Sequence, residues 1–278
     1  MTKVFNGKIL KQEEVSISPF DRGFQLSDGV YEVIRYYPKK FFELKAHIDR
    51  LKHSLLELQI PLPPLANIET VLNDLIHRNN LIDEPSIAYM QVTRGFQFPR
   101  KHSFNEKLAP TFFISVYKFP IKKDEMIHGV KTGLEKDIRW LRCDIKSTSL
   151  IPSVLSSRRA SEKGFSEIIY HRDGLITEGA HTNVCFVSNN ELITPPLSNF
   201  ILAGVTRKIV LGLCGQLRIK FAERNILLTE LKDIGEIMLL GTTTEITPVI
   251  EIDGTKINDG LPGPICRLLQ NDYLKLHQ

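Results

Sequence analysis

The 278 residues carry 36 Lys and Arg against 32 Asp and Glu, a formal net charge of +4, with 42% hydrophobic and 24% charged residues. At roughly 100 to 200 residues per domain the chain has room for two cores, and charges of both signs interleave, which argues against a basic track for nucleic acid. No stretch of about 18 apolar residues occurs, so no membrane span is expected. Cys143, Cys185, Cys214 and Cys266 are widely spaced, form no Cys-x-x-Cys pair and match no histidine ligand spacing, which predicts reduced thiols, a cytoplasmic protein and no metal site. The N-terminal run Met1 to Lys8 lacks the apolar segment of an export signal.

Val4-Phe5, Asn6-Gly7 and Lys8-Ile9-Leu10 read as a hairpin, because Asn-Gly favours the turn that joins two twisted strands. A β-rich run follows from Val30 to Tyr37, broken by Pro38 and resumed at Phe41-Phe42. Apolar residues then recur at three- and four-residue steps, at Ile48, Leu51, Leu55 and Leu58 and again at Ile68, Val71, Leu72 and Leu75, which predicts two helices. Ser86 to Thr93 and Thr111 to Tyr117 read as strands, with a long polar loop from Arg94 to Pro110 between them. Pro120 and the charges from Lys122 to Glu125 read as a linker, so the expected domains are 1–120, smaller, and 121–278, larger and cofactor-binding.

Beyond Lys146 and the hydroxyl run Ser147-Thr148-Ser149, an amphipathic helix is expected up to the stop at Gly164. Strands follow over Glu167 to His171, Leu175 to Thr177, Val184 to Ser188 and Leu192 to Thr194. Helices are expected over Thr206 to Leu217 and Leu228 to Ile234, and strands over Met238 to Leu240 and Val249 to Ile252.

Several segments can carry chemistry. Lys146 follows Arg139, Arg142 and Asp144, and neighbouring cations with partial desolvation favour the unprotonated amine that attacks a carbonyl. An isolated lysine beside a helix start is ordinarily a solvated residue, so distant segments must decide. Gly204-Val205-Thr206-Arg207 opens a helix and Gly241-Thr242-Thr243 ends a strand, two places where backbone N–H groups can converge on a phosphate. Arg50 is a possible bidentate partner for the same phosphate. Glu178, at a strand end, can keep a pyridine nitrogen protonated, and Arg100-Lys101-His102 sets two cations near each other for a substrate carboxylate. Tyr31 adds a phenol beside Glu32.

Asp21-Arg22-Gly23, Asp28-Gly29-Val30-Tyr31-Glu32, His47-Ile48-Asp49-Arg50-Leu51, Lys146, Thr177-Glu178-Gly179, Gly204-Val205-Thr206-Arg207 and Thr244-Glu245-Ile246-Thr247-Pro248 together resemble the class IV pyridoxal-phosphate aminotransferases, over nearly the whole chain. Asp137 to Ser147 and Pro99-Arg100-Lys101-His102 look like the D-amino-acid branch of that family. The resemblance implies a two-domain α+β homodimer that binds pyridoxal 5'-phosphate in the cleft between its domains. In it Lys146 forms the Schiff base and moves the proton, and Glu178 pairs with the pyridine nitrogen. Arg50, Val205, Thr206, Gly241 and Thr242 hold the phosphate, Leu202 supports the ring and Arg139 lies near the phenolic oxygen. Tyr31, Arg100 and His102 trap the substrate carboxylate, with the long loop supplied by the partner subunit. The implied reaction is ping-pong transfer of an amino group between a D-amino acid, of the D-alanine or D-glutamate type, and a 2-oxo acid. Alternatives are a branched-chain L-amino-acid aminotransferase, 4-amino-4-deoxychorismate lyase and, more remotely, a non-catalytic pyridoxal-phosphate-binding protein.

Two departures from the family pattern bear on substrate range. The loop from Arg94 to Arg100 is one residue longer and holds Phe96 and Phe98. The small serine-type run after Gly179 is replaced by Ala180-His181-Thr182, whose imidazole is expected to narrow the pocket.

Overall fold

A computed structural model describes residues 1–63 and 65–277. Its contacts divide the chain into two compact units, Met1–Ile121 with Ile145–Ser149, and Lys122–Asp144 with Leu150–Gln278. The stretch carrying Lys146 thus packs with the first unit, although the sequence assigns it to the second.

The first unit contains β1 (Thr2–Phe5), β2 (Lys8–Lys11), α1 (Arg22–Leu26), β3 (Gly29–Tyr37), β4 (Lys40–Phe41), α2 (Leu44–Glu57), α3 (Ile68–Arg78), β5 (Ser86–Thr93) and β6 (Thr111–Lys118). Asn6 and Gly7 both take positive φ, 48° and 79°, which closes the β1–β2 hairpin. The six strands run β2-β1-β6-β5-β3-β4 and all their pairings are antiparallel. Side chains alternate across such a sheet. Val30, Ile34, Ala88, Met90, Val92, Ile114 and Val116 therefore share one face, buried with Ile48, Leu51 and Leu55 of α2 and Leu72, Leu75 and Ile76 of α3. Each such side chain contributes about 1.5–3 kcal/mol of burial.

β4 covers the edge of β3 only near Tyr36 and Tyr37. At the other end, Tyr31 N donates to Lys146 O at 3.0 Å, Thr148 N donates to Gly29 O at 2.9 Å, and Val30 bridges Ser147. Ile145 enters the same core. An unpaired strand edge and a vacant apolar position thus draw in a segment distant in sequence.

The second unit contains α4 (Lys123–His128), β7 (Val130–Lys136), α5 (Ile151–Glu162), β8 (Glu167–Arg172), β9 (Leu175–Gly179), β10 (Asn183–Ser188), β11 (Glu191–Thr194), α6 (Val205–Gln216), β12 (Lys220–Glu223), β13 (Glu236–Gly241), β14 (Glu245–Ile252), β15 (Thr255–Lys256) and α7 (Pro264–Lys275). Its sheet runs β12-β11-β10-β13-β14-β7-β8-β9, with β15 on β14. β9 lies at one edge, yet a three-residue turn joins it to the interior strand β10, and Gly179 N donates to Thr182 O at 2.7 Å. The sheet must curl for this to happen. Ile169, Ile176, Val184, Phe186, Ile237, Leu239 and Val249 fill the core of the curl.

Three local features differ from the sequence reading or escape it. The charged stretch read as a linker starts α4, with Asp124 and Glu125 in its first turn, where carboxylates complement the helix dipole. The segment Leu228–Asp233 is a 3-10 turn rather than an α-helix. α7 escapes the periodicity reading, although Gly263-Pro264 at its start is a usable signal. No helix among the described residues is long and apolar enough to cross a membrane.

Candidate active site

In the first unit the parity of β3 places Tyr31 and Glu32 on opposite faces. Tyr31 stacks on Tyr89 with ring centroids 5.9 Å apart. The Lys146 amine lies 4.5 Å from the centre of the Tyr31 ring and 3.5 Å from its hydroxyl, while Lys146 N donates to Ser54 Oγ at 3.2 Å. Arg139 and Arg142, expected as cationic neighbours of the lysine, are each paired with carboxylates of the second unit.

Glu32 points into the helix-covered face and is fully buried. Arg50 grips it with Nε and Nη2 at 2.7 and 2.9 Å, and His47 Nδ1 lies 2.8 Å away. Burial alone would raise this carboxyl, but Arg50 and His47 overcome it and hold it at about 2. Burial lowers His47 despite the opposing pull of Glu32. Glu32 and His47 were quoted above without a role. The available signal was a lone carboxylate at a core-facing strand position, with His47 and Arg50 three apart on a helix.

Arg100 and His102 are exposed, and neither makes a hydrogen bond or ion pair to Tyr31 among the described residues. Their loop is nevertheless well tethered. Arg22 donates to the carbonyls of Lys101 at 2.7 Å and His102 at 3.0 Å. Asp28 bridges Arg22 and Arg94 at 2.7 and 2.8 Å. Arg94 also caps the end of α2 through the carbonyls of Leu58 and Gln59 at 2.6 and 2.8 Å, and Phe104 covers its guanidinium at 3.6 Å. This cluster gives the Asp21-Arg22-Gly23 and Asp28-Gly29 motifs a structural task that sequence reasoning missed.

In the second unit Glu178 is the penultimate residue of β9, with 4% exposure. Arg139 Nη1 donates to its Oε1 at 2.6 Å, and Asn183 Nδ2 and Leu202 N donate to its Oε2 at 2.8 and 3.0 Å. A carboxylate offers about four acceptor sites, so three donors leave one. Burial raises the Glu178 carboxyl from its ordinary range, with Arg139 acting in the opposite sense. Arg139 is itself fixed by Asp137, which accepts from its Nε at 3.0 Å and its Nη2 at 2.9 Å, and by the Tyr170 ring at 4.9 Å. Arg172 adds a second cation, bonding Asp137 at 3.0 Å. Asp137, Asn183 and Arg172 were not singled out as site residues from the sequence.

The two small-residue loops meet the same neighbourhood. α6 starts at Gly204 without a side-chain cap, leaving its first amides to an external acceptor. A Cβ on Gly204 would lie 1.8 Å from Asn183 Oδ1, so only glycine lets the helix start come this close. Val205 and Thr206 follow it, both buried. Gly241 lies close to Thr182, whose Cγ2 an added Cβ would meet at 3.6 Å, and leads into Thr242. Glu178, Leu202, Asn183, the α6 start and the Gly241 turn are thus linked by contact within one unit. The four cysteines are buried and unpaired, with burial pushing Cys185 and Cys266 up to about 12, which makes them inert thiols.

Residues 29–252 match the family model described as amino-transferase class IV. A D-alanine aminotransferase of Bacillus licheniformis is 40% identical over 273 residues, covering 97% of this chain and 95% of the relative. Another, of Staphylococcus haemolyticus, is 36% identical over 278 residues, covering 99% and 98%. Among solved structures, the branched-chain amino acid aminotransferase of Escherichia coli has a TM-score of 0.93 at 22% identity, covering 100% of this chain and 94% of the other, a likeness of fold. The branched-chain aminotransferase of Thermoproteus uzoniensis with norvaline has a TM-score of 0.87 at 26% identity, covering 99% and 94%. With the motifs in order and the match running nearly end to end in sequence and in fold, the chain belongs to the class IV aminotransferases.

Proposed function

We propose that this enzyme uses pyridoxal 5'-phosphate to move an amino group from a D-amino acid, of the D-alanine or D-glutamate type, to a 2-oxo acid in a ping-pong cycle, as a cytoplasmic homodimer. The observation that carries the cofactor assignment is Glu178, a buried carboxylate held by three donors with an acceptor site remaining. That is what a protonated pyridine nitrogen requires. The D-alanine aminotransferase relatives support the choice of donor.

When bound, the cofactor supplies an electron sink for the electrons released at Cα. Lys146 would hold the cofactor through Nζ and would carry the proton to and from the substrate Cα. Glu178 holds the proton on the ring nitrogen, and Arg139 fixes Glu178 and serves the phenolic oxygen. Leu202 supports the ring. The amides of Val205 and Thr206, the Gly241-Thr242 turn and Arg50 bind phosphate. Tyr31, Arg100 and His102 bind the substrate carboxylate, which selects the face presented to Lys146 and hence the enantiomer. The exposure of Phe24 and Phe98, at 76% and 67%, supports pairing of two copies around this loop.

Purified protein given D-alanine and 2-oxoglutarate should release pyruvate. Turnover with L-leucine or aminodeoxychorismate alone would reject the assignment. Lys146→Ala should lose turnover by a factor on the order of 10⁴ and lose the borohydride-sensitive visible band; a variant that keeps that band would show the wrong lysine had been chosen.

A further inference from the structure

The turn between β9 and β10 is where this chain departs from its family's serine-type run, and there His181 contacts a buried carboxylate. Its Nδ1 lies 2.9 Å from Oε2 of Glu167, the first residue of β8. Glu167 is 1% exposed, and nothing in the reaction above uses it. Its carboxylate gathers donors from the turn. Thr182 Oγ1 donates to Oε2 at 3.0 Å and His181 N at 3.3 Å, while Ile168 N donates to Oε1 at 2.9 Å. A Cβ on Gly179 would meet Thr182 Oγ1 at 2.2 Å and Glu167 Oε2 at 3.0 Å, so the backbone is pressed directly onto this pair.

The residues fixed in this way brace the cofactor groups assigned above. Thr182 lies close to Gly241. Asn183, next in the chain, holds Glu178 at 2.8 Å and the Leu202 carbonyl at 3.0 Å and abuts Gly204. A buried carboxylate with several well-placed donors has one favourable arrangement, and withdrawing its charge leaves those donors without an acceptor of equal strength.

We propose that Glu167 is a positioning residue for the cofactor, setting the 179–183 turn so that Thr182 and Asn183 hold Gly241, Gly204 and Glu178 in register. This rests on the pyridoxal-phosphate reading. Glu167→Gln keeps the shape but removes the charge and turns one acceptor into a donor. It should raise the dissociation constant for pyridoxal phosphate about tenfold, the effect of losing one charge-assisted hydrogen bond. Thr182→Val, which removes a single donor, should raise it less. Because both act through one contact, the double variant should weaken binding by less than the product of the two single effects. Dissociation constants are read from the visible band on titration of cofactor-free protein, with thermal unfolding of the cofactor-free forms measured alongside.

Wild-type affinity in Glu167→Gln would overturn the proposal. So would strictly multiplicative effects in the double variant, or a loss of affinity that merely tracks a loss of cofactor-free stability. If Glu167→Gln does not fold, Thr182→Val and His181→Ala carry the test, each expected to weaken binding a few-fold and each overturning the proposal if it binds as wild type does. A wild-type protein that takes up no pyridoxal phosphate overturns the function reading itself and this proposal with it.

Discussion

Glu32 in the first unit and Glu178 in the second are both buried and both touch an arginine, at 2.7 and 2.6 Å, yet their proton affinities move in opposite directions. The difference lies in how each arginine is shared. Arg50 turns two nitrogens toward Glu32, and His47 adds a third contact. Arg139 gives one nitrogen to Glu178 and two to Asp137, whose own charge pushes Glu178 further up. An ion pair therefore does not by itself set a carboxylate's character. Glu32 is a fixed anion that orders a helix against a sheet, whereas burial raises the carboxyl of Glu178, the group proposed above to pair with the pyridine nitrogen.

Substitution can break this contrast. Glu178→Gln should leave the fold in place and lower kcat by about two to three orders of magnitude, as removal of one preorganised charge in an active site does; near-normal turnover would show that Glu178 is structural. Glu32→Gln should act first on stability. It deprives Arg50 and His47 of their buried partner and should cost about 3–5 kcal/mol in denaturant unfolding, and a loss below about 1 kcal/mol would mean that the triad is no stronger than a surface pair.

Acid sharpens the comparison. Glu32 is held at about 2 against an ordinary 4.5, so its contribution is fully present above 4.5 and disappears as pH falls toward 2, on the order of 3 kcal/mol in all. His47, lowered from 6.5 by burial, adds to that loss, because the unfolded chain takes up its proton first as pH falls. For Glu178 the sign is opposite, and acid costs no stability there. Urea unfolding from pH 7 to pH 3 should show the wild type losing far more than Glu32→Gln. The smallest effect belongs to the half-exposed Arg142–Asp144 pair, at 2.9 Å with side chains 41% and 25% exposed. Arg142→Ala should change stability by less than about 1 kcal/mol.

Helices α2 and α3 were legible because their apolar residues keep a 3.6-residue period, and the β1–β2 hairpin because Asn6-Gly7 is a local signal. β7 and β12 were not, since Val130-Lys131-Thr132-Gly133 and Lys220-Phe221-Ala222-Glu223 take their strand form from neighbours rather than from their own alternation. Site residues divide in the same way. Lys146, Glu178 and Arg50 stood out through motifs, whereas Asp137 and Asn183 matter only through partners brought close by the curl of the second sheet. The contact of Lys146 with Tyr31 spans 115 residues and no local pattern announces it. His181 shows the limit most plainly, because its residue type gives no sign of the buried carboxylate of Glu167 that its ring contacts.

The docking of Ile145–Ser149 on the edge of β3 has a consequence for synthesis. On the ribosome the first unit cannot finish folding when Ile121 emerges, because the piece that seals its sheet edge and fills its core beside Ile145 is still to be made. A fragment ending at Ile121 should expose Gly29–Tyr31 as an open edge and self-associate, and a synthetic peptide spanning residues 145–149 should suppress that association. Lys146, the proposed nucleophile, therefore arrives with the part that completes its own platform.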